Sequence, residues 1–227
     1  MGSELSGLKE LARISKIEPQ RRNRARRSIW LDGSYAFSLS EGLLLQSGLR
    51  EGDEITPREV ARLVSLDQRE KAKEIAFRYL SYRPRTVKEV VDKLRGKRIP
   101  PEIIEPVIED LKRLKLLDDR SFARSWIGER LANRPGGRRL LQRELRLKGV
   151  APELIEEAID ELYPQEVEVA KELLRKRMSR FKGLNPKKLR ARAWGLLLRR
   201  GFSSQTAQEC MEELSNIFES LRNSEMF

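Results

Sequence analysis

Two carboxylates stand side by side in LKLLDDRSFARSW, at Asp118 and Asp119, and paired acids are what a Mg²⁺-dependent nuclease uses to hold its metal. Such a site needs two or three carboxylates that converge. This pair lies between two helical stretches, just ahead of Ser121 and Phe122, where an aspartate caps the first turn of a helix, and capping is the simpler account. Glu102, Glu105, Glu109 and Asp110 are spaced so that they spread round a helix among lysines and arginines, which describes a solvated face. Cys210 is the only cysteine and falls at an apolar helical position, so it reads as core. With no histidine in the chain, His-based acid/base chemistry, Cys/His nucleophilic pairs and Cys/His zinc sites cannot be assembled. Gly136-Gly137 is too short to cradle a phosphate, and no P-loop pattern occurs. The expectation is a protein that is not an enzyme, with no catalytic residues, no metal and no cofactor.

Basic residues are the chemistry that remains. The segment RPGGRRLLQRELRLKGVAPELIEEAIDEL, Arg134 to Leu162, carries six basic residues and one acid, Glu144, up to Lys148, and then almost only acids. It aligns without a gap on RPRTVKEVVDKLRGKRIPPEIIEPVIEDL, Arg83 to Leu111, at a constant offset of 51 residues. A fainter third copy follows at an offset of 52, with Leu197, Gly201 and Leu214 answering Leu145, Gly149 and Leu162. Acids near a helix N-terminus and bases near a C-terminus suit the macrodipole, but dipoles alone do not sort charge by helix in this way. Stacked units would carry basic and acidic stripes on different faces. The excess peaks between Lys171 and Arg200, where Glu172 is the only acid. Across the chain 47 Lys and Arg face 35 Asp and Glu, a formal charge of +12 and a pI near 10.0, which calls for an anionic partner, phosphate backbones being the commonest.

These side chains must be carried by some scaffold. Around Asp32-Gly33, the runs in SIWLDGSYAFSLS predict a β-hairpin, and SEGLLLQSGL predicts a short helix capped by Ser40 and stopped near Gly48. From about Leu66 helical periodicity takes over. Three helices make a unit: Ala72, Ile75, Ala76, Tyr79 and Leu80 form the stripe of the first, Thr86 caps the second, and Pro100-Pro101 opens the third, with Pro106 expected to kink it or delay its start. Phe122, Trp126, Phe181 and Trp194 sit at helical spacings and read as packing residues. The expected fold is mainly α, tandem three-helix repeats in an elongated array, with a small β-hairpin-containing N-terminal module. Its boundaries fall at 1–65 for the module and 66–118, 119–163 and 164–227 for the repeats. MGSELS matches the N-myristoylation pattern with Gly2 and Ser6, but an initiator Met followed by small residues accounts for it. With no apolar run near the roughly 20 residues that span a bilayer, no leader and a single cysteine, the chain is expected in the cytoplasm, away from membranes.

LKLLDDRSFARSWIGERLANRPGGRRLLQRELRLKGV, Leu111 to Val150, resembles the signature of the RecX family, and AFRYLSYRPRTVKEVVDKL, Ala76 to Leu94, resembles its first repeat. The likeness covers residues 66 to 220 most strongly, and the third repeat departs from it most. It implies a regulator, mostly an inhibitor, of the RecA recombinase. Family members are held to lie along the groove of the RecA filament on single-stranded DNA and to limit its growth, ATP hydrolysis and strand exchange. The implied partners are that filament and single-stranded DNA, met directly or through it, with the protein acting as a monomer. The contact residues expected on the basic faces are Arg83, Arg85, Lys88 and Lys93 in the first repeat, Arg138, Arg139, Arg143 and Arg146 in the second, and Lys187, Lys188, Arg190 and Arg192 in the third. The acidic helices would be solvated or would meet basic patches on the recombinase, while Phe122, Trp126, Leu141 and Leu145 hold the scaffold. The alternative is an autonomous DNA-binding protein of helix-turn-helix type, which three short helices with a basic member also suggest.

Overall fold

The computed structural model describes residues 11–21, 23–177, 181 and 185–213. Gly2, Ser6 and Leu214 lie outside the described residues. The chain divides into two compact units, one of residues 1–82 and 91–111, the other of residues 83–90 and 112–227.

In the first unit, strands β1 (Ala12–Pro19), β2 (Arg26–Leu31), β3 (Ser34–Ser40) and β4 (Glu54–Ile55) form an antiparallel sheet in the order β3-β2-β1-β4. Asp32 and Gly33 both take positive φ, 48° and 86°, the backbone of a two-residue hairpin turn whose twist matches that of the strands it joins. Alternation then sends Ile29 and Leu31 of β2 and Phe37 and Leu39 of β3 to one face, where Ala12, Ile14 and Ile55 complete a buried core. Helix α1 (Glu41–Ser47) is capped by Ser40 and ends at Gly48. Helix α2 (Pro57–Leu80) starts at a capping box of Thr56 and Glu59 and is 24 residues long, so residue 65 falls inside it. Its first half contributes Val60 and Leu63 to the sheet core, and its second half buries Ala72 and Ala76. Asp67, 5% exposed on α2, accepts from Arg26 of β2 at 2.7 Å and from the Ser40 N–H at 2.7 Å, so the buried charge is fully met.

Helices α3 (Val87–Gly96) and α4 (Pro101–Arg113) complete the first repeat, α4 running from Pro101 with Pro106 inside it. In the second unit α5 (Asp119–Asn133), α6 (Arg138–Leu147) and α7 (Pro152–Leu162) form the second repeat. Helices α8 (Glu166–Arg177), α9 (Pro186–Arg199) and α10 (204–213) form the third. Neither of these repeats closes a core alone. Phe122, Ile127, Leu141, Leu145, Ile155 and Ile159 share one buried cluster with Leu173, Leu189, Leu197, Phe202, Cys210 and Met211. Leu94, Leu145 and Leu197 are each fully buried, as their common place in the repeats requires. Leu162 departs from its counterpart Leu111, being 38% exposed where Leu111 is 0%.

The middle helix of each repeat ends the same way. The N–H groups of Ile99, Val150 and Phe202 donate back to the carbonyls of Leu94, Leu145 and Leu197 in turn, with the residue just before each donor left-handed: Arg98 at φ 59°, Gly149 at φ 82° and Gly201 at φ 78°. Two copies place glycine there. The first places arginine, at a cost of about 1 kcal/mol in backbone strain.

Candidate functional site

Asp118 and Asp119 are structural. Asp118 caps α5 by accepting from the N–H groups of Arg120 and Ser121, while Asp119 accepts from the Val87 N–H, the first donor of α3, at 2.9 Å. Burial raises the Asp119 carboxyl above its ordinary range, against the pull of that bond. The next repeat copies the device with a different residue. Glu166, at the start of α8, accepts from the Arg138 N–H that opens α6 and from Ser203 and Thr206 beyond α9. The acid opening one repeat thus satisfies the orphan N–H of the preceding middle helix, which fixes their register.

Part of the charge sorted between helices is paired internally. Of the acids on α7, Glu157 meets Arg120 and Glu161 meets Arg124 at 2.6 Å, both from α5; Asp160 meets Arg138 at 3.0 Å and Glu156 meets Arg146 at 3.8 Å, both from α6. These acids remain exposed to solvent as expected, and Glu153 among them has no ion pair among the described residues. The polarity read along one segment folds back on itself. Each such pair is exposed and contributes under about 1 kcal/mol, so their weight lies in orienting helices rather than in stability.

The expected contact residues divide accordingly. Glu89 gathers Arg83 at 2.9 Å, Lys148 at 3.4 Å and Arg85 at 4.0 Å. Burial pushes the Glu89 carboxyl up, but the Arg83 hydrogen bond, the Thr86 N–H and the Lys148 charge outweigh it and hold the group below its usual range. Lys148 also lies over the Trp126 ring at 4.4 Å. Lys88 packs its stem where a Cβ on Gly149 would stand, and Lys93 lies over the Tyr79 ring at 5.1 Å. The first set is therefore engaged within the chain, though Arg83, Lys88 and Lys93 remain exposed.

In the second set Arg138 and Arg146 meet acids, whereas Arg139 and Arg143, one turn apart on the exposed side of α6, make no ion pair among the described residues. In the third, Lys187, Lys188 and Arg192 of α9 are exposed and likewise unpaired among the described residues; Arg190 is exposed and has a partner. Neither α6 nor α9 has an acid in its first turn, and both place cations there, Arg138-Arg139 and Lys187-Lys188, at the end where the macrodipole disfavours them. Local helix energetics does not select such residues.

A further cluster escaped the sequence. Arg130, Arg134, Arg177 and Arg200 come from the ends of α5, α8 and α9, and burial together with the charges of Arg177 and Arg134 disfavours protonated Arg200. Arg200 donates to the Pro135 carbonyl at 3.4 Å and Lys176 to that of Ala132 at 3.2 Å. Helix C-termini favour cations, which explains their tolerance here. Nothing in their separation along the chain announces the meeting. Gly136-Gly137 seats this region: the Gly137 N–H donates to the Arg200 carbonyl at 2.8 Å. Among the described residues no group of three or more His, Cys, Asp or Glu is placed to hold a metal, and no helix is long and apolar enough to cross a membrane.

Comparison with known proteins agrees with this architecture. Family models described as the regulatory protein RecX N-terminal domain and the RecX first, second and third three-helix domains match residues 12–56, 72–111, 118–159 and 164–211. Regulatory protein RecX of Limosilactobacillus reuteri (strain DSM 20016) is 32% identical over 205 residues, 90% of this chain and 77% of that one. Regulatory protein RecX of Bacillus subtilis (strain 168) is 33% identical over 202 residues, 88% of this chain and 76% of that one. A crystal structure of regulatory protein RecX matches with a TM-score of 0.65 at 32% identity, covering 88% of this chain and 99% of the other. One of RecX from Lactobacillus salivarius gives 0.60 at 30% identity, covering 66% and 98%. With its strand module and three three-helix domains all accounted for, the chain belongs to the RecX family of regulatory proteins.

Proposed function

We propose that this protein regulates, mostly by inhibition, the RecA recombinase, binding the RecA filament on single-stranded DNA along its groove and limiting filament growth, ATP hydrolysis and strand exchange. It acts without catalysis of its own, as a monomer, in the cytoplasm. The observation that carries the reading is the split of charge in the second unit: four of the five acids of α7, all but Glu153, are met by the chain's own arginines, while Arg139, Arg143, Lys187, Lys188 and Arg192 stay exposed and unpaired among the described residues. An unspent cationic face suits an extended anionic groove. Of the first set, Arg83 and Arg85, held by Glu89, and Lys93, over the Tyr79 ring, contribute less.

Binding to labelled single strands, bare and RecA-coated, in about 0.15 M salt tests this, because beyond roughly 8 Å exposed charges are then screened. The expected result is clear preference for the coated strand, with bare DNA held no more tightly than the ~10⁻⁴ to 10⁻⁶ M of non-specific contact. Tight, RecA-independent binding to bare duplex would favour the helix-turn-helix alternative instead.

A further inference from the structure

In the first unit a cavity of about 370 Å³ opens between the sheet, α2 and the turn that follows α3. Tyr35, 54% exposed and edge-on to Trp30, lines one part of it, and Lys71, Lys97 and Arg98 line another. All three cations are exposed and make no ion pair among the described residues. The one carboxylate lining the cavity, Asp67, is already held by Arg26, so it does not cancel them.

Arg98 distinguishes this place from an ordinary solvated surface. Its position is the left-handed residue that closes the middle helix, which the second and third repeats fill with Gly149 and Gly201. In those repeats a Cβ would collide with Lys88 and with Leu140. In the first repeat the space is open onto the cavity, and a cation stands there although its backbone would be more relaxed as glycine. An exposed ring beside three unspent cations is the combination that holds a nucleotide: a π-face for the base and charge for the phosphate.

We propose that this cavity binds one nucleotide unit, its base on the Tyr35 ring and its phosphate among Lys71, Lys97 and Arg98. The ligand is either a residue of single-stranded nucleic acid or a free nucleoside polyphosphate, which share this chemistry. The site goes beyond the regulator reading, since it needs no RecA to be filled.

The test is photocross-linking of the full chain, without RecA, using a short oligonucleotide carrying 5-iododeoxyuridine and, separately, 8-azido-ATP, with labelled peptides mapped by mass spectrometry. Label is expected on the strand containing Tyr35. Competition by unlabelled oligonucleotide and not by ATP identifies nucleic acid as the source, and the reverse identifies the free nucleotide. Arg98→Gly and Lys71→Gln should each lower that labelling roughly tenfold. Arg98→Gly should do so with a melting temperature no lower than that of the unmodified chain, which separates a missing phosphate partner from a failure to fold. Labelling by neither probe at this strand, or labelling undiminished in both variants, would overturn the site. Because RecA is absent, neither result bears on filament regulation, and loss of filament regulation would leave this site standing.

Discussion

Gly137→Ala is expected to destabilise the protein by about 3 kcal/mol or more, a fall in melting temperature of roughly 6–12 °C for a chain of this size. A Cβ at this position would come closer than 3.0 Å to the carbonyl of Gly201 and the amide of Phe202, both backbone, and backbone held at both ends by helices cannot step aside. The same residue donates its N–H to Arg200, so any shift that relieves the collision also stretches a hydrogen bond. Phe202 and Leu197 lie in the core common to the second and third repeats, and the strain would spread there. Gly136→Ala makes the comparison: its nearest contact at 2.8 Å is the end of the Leu140 side chain, which can rotate, with the Arg200 carbonyl at 3.3 Å. Differential scanning calorimetry of both variants should therefore show the larger loss at Gly137. Equal losses would mean that this backbone contact does not join the repeats.

The second large effect is on function. Reversing Arg139 and Arg143 to glutamate should weaken the proposed RecA inhibition by one to two orders of magnitude while leaving the melting temperature within a few degrees, since neither side chain is buried or paired among the described residues. For every phosphate that is no longer neutralised, the log–log slope of affinity against salt should become shallower by about 0.7 to 0.9. Arg124→Gln is the matched control, because Arg124 is spent on Glu161 at 2.6 Å. It should cost under about 1 kcal/mol of stability and leave inhibition nearly intact. Inhibition assays across a salt series separate the two, and an Arg124→Gln effect as large as the double reversal would remove the distinction between spent and unspent cations.

Much of the scaffold is legible along the chain because its signals are local. Asp32-Gly33 between alternating runs marks the hairpin, Ser40, Thr86 and Asp118 mark helix starts, and the offset of 51 residues marks the repeat. Strand β1 escapes because the pairing register shifts between Ile14 and Lys16, which breaks the alternation, and β4 escapes because two residues carry no pattern. The end of the strand module is equally hidden, since α2 serves the sheet with Val60 and Leu63 and then buries Ala72 and Ala76 without a break.

The proposed contact face is legible only in outline. Composition along a segment shows that arginines and acids are separated by helix, but whether they meet depends on how the helices pack, and α7 sets four of its five acids against arginines of α5 and α6. Arg138 and Arg139 are neighbours of the same type, yet one faces Asp160 and the other solvent. The crowd of Arg134, Arg177 and Arg200 needs three helix ends to converge, which no periodicity records. Arg98 is readable in principle: set beside Gly149 and Gly201 in the aligned repeats, it is the copy that breaks the glycine rule.

The most direct measurement of the central claim is DNA-dependent ATP hydrolysis by RecA on single-stranded DNA, in about 0.1 M salt, with this protein titrated from well below one copy per RecA protomer up to equimolar. Filament regulation predicts a fall in rate at substoichiometric ratios, because one molecule in the groove or at an end affects many protomers. An unchanged rate at equimolar protein, together with tight binding to naked duplex, would contradict it.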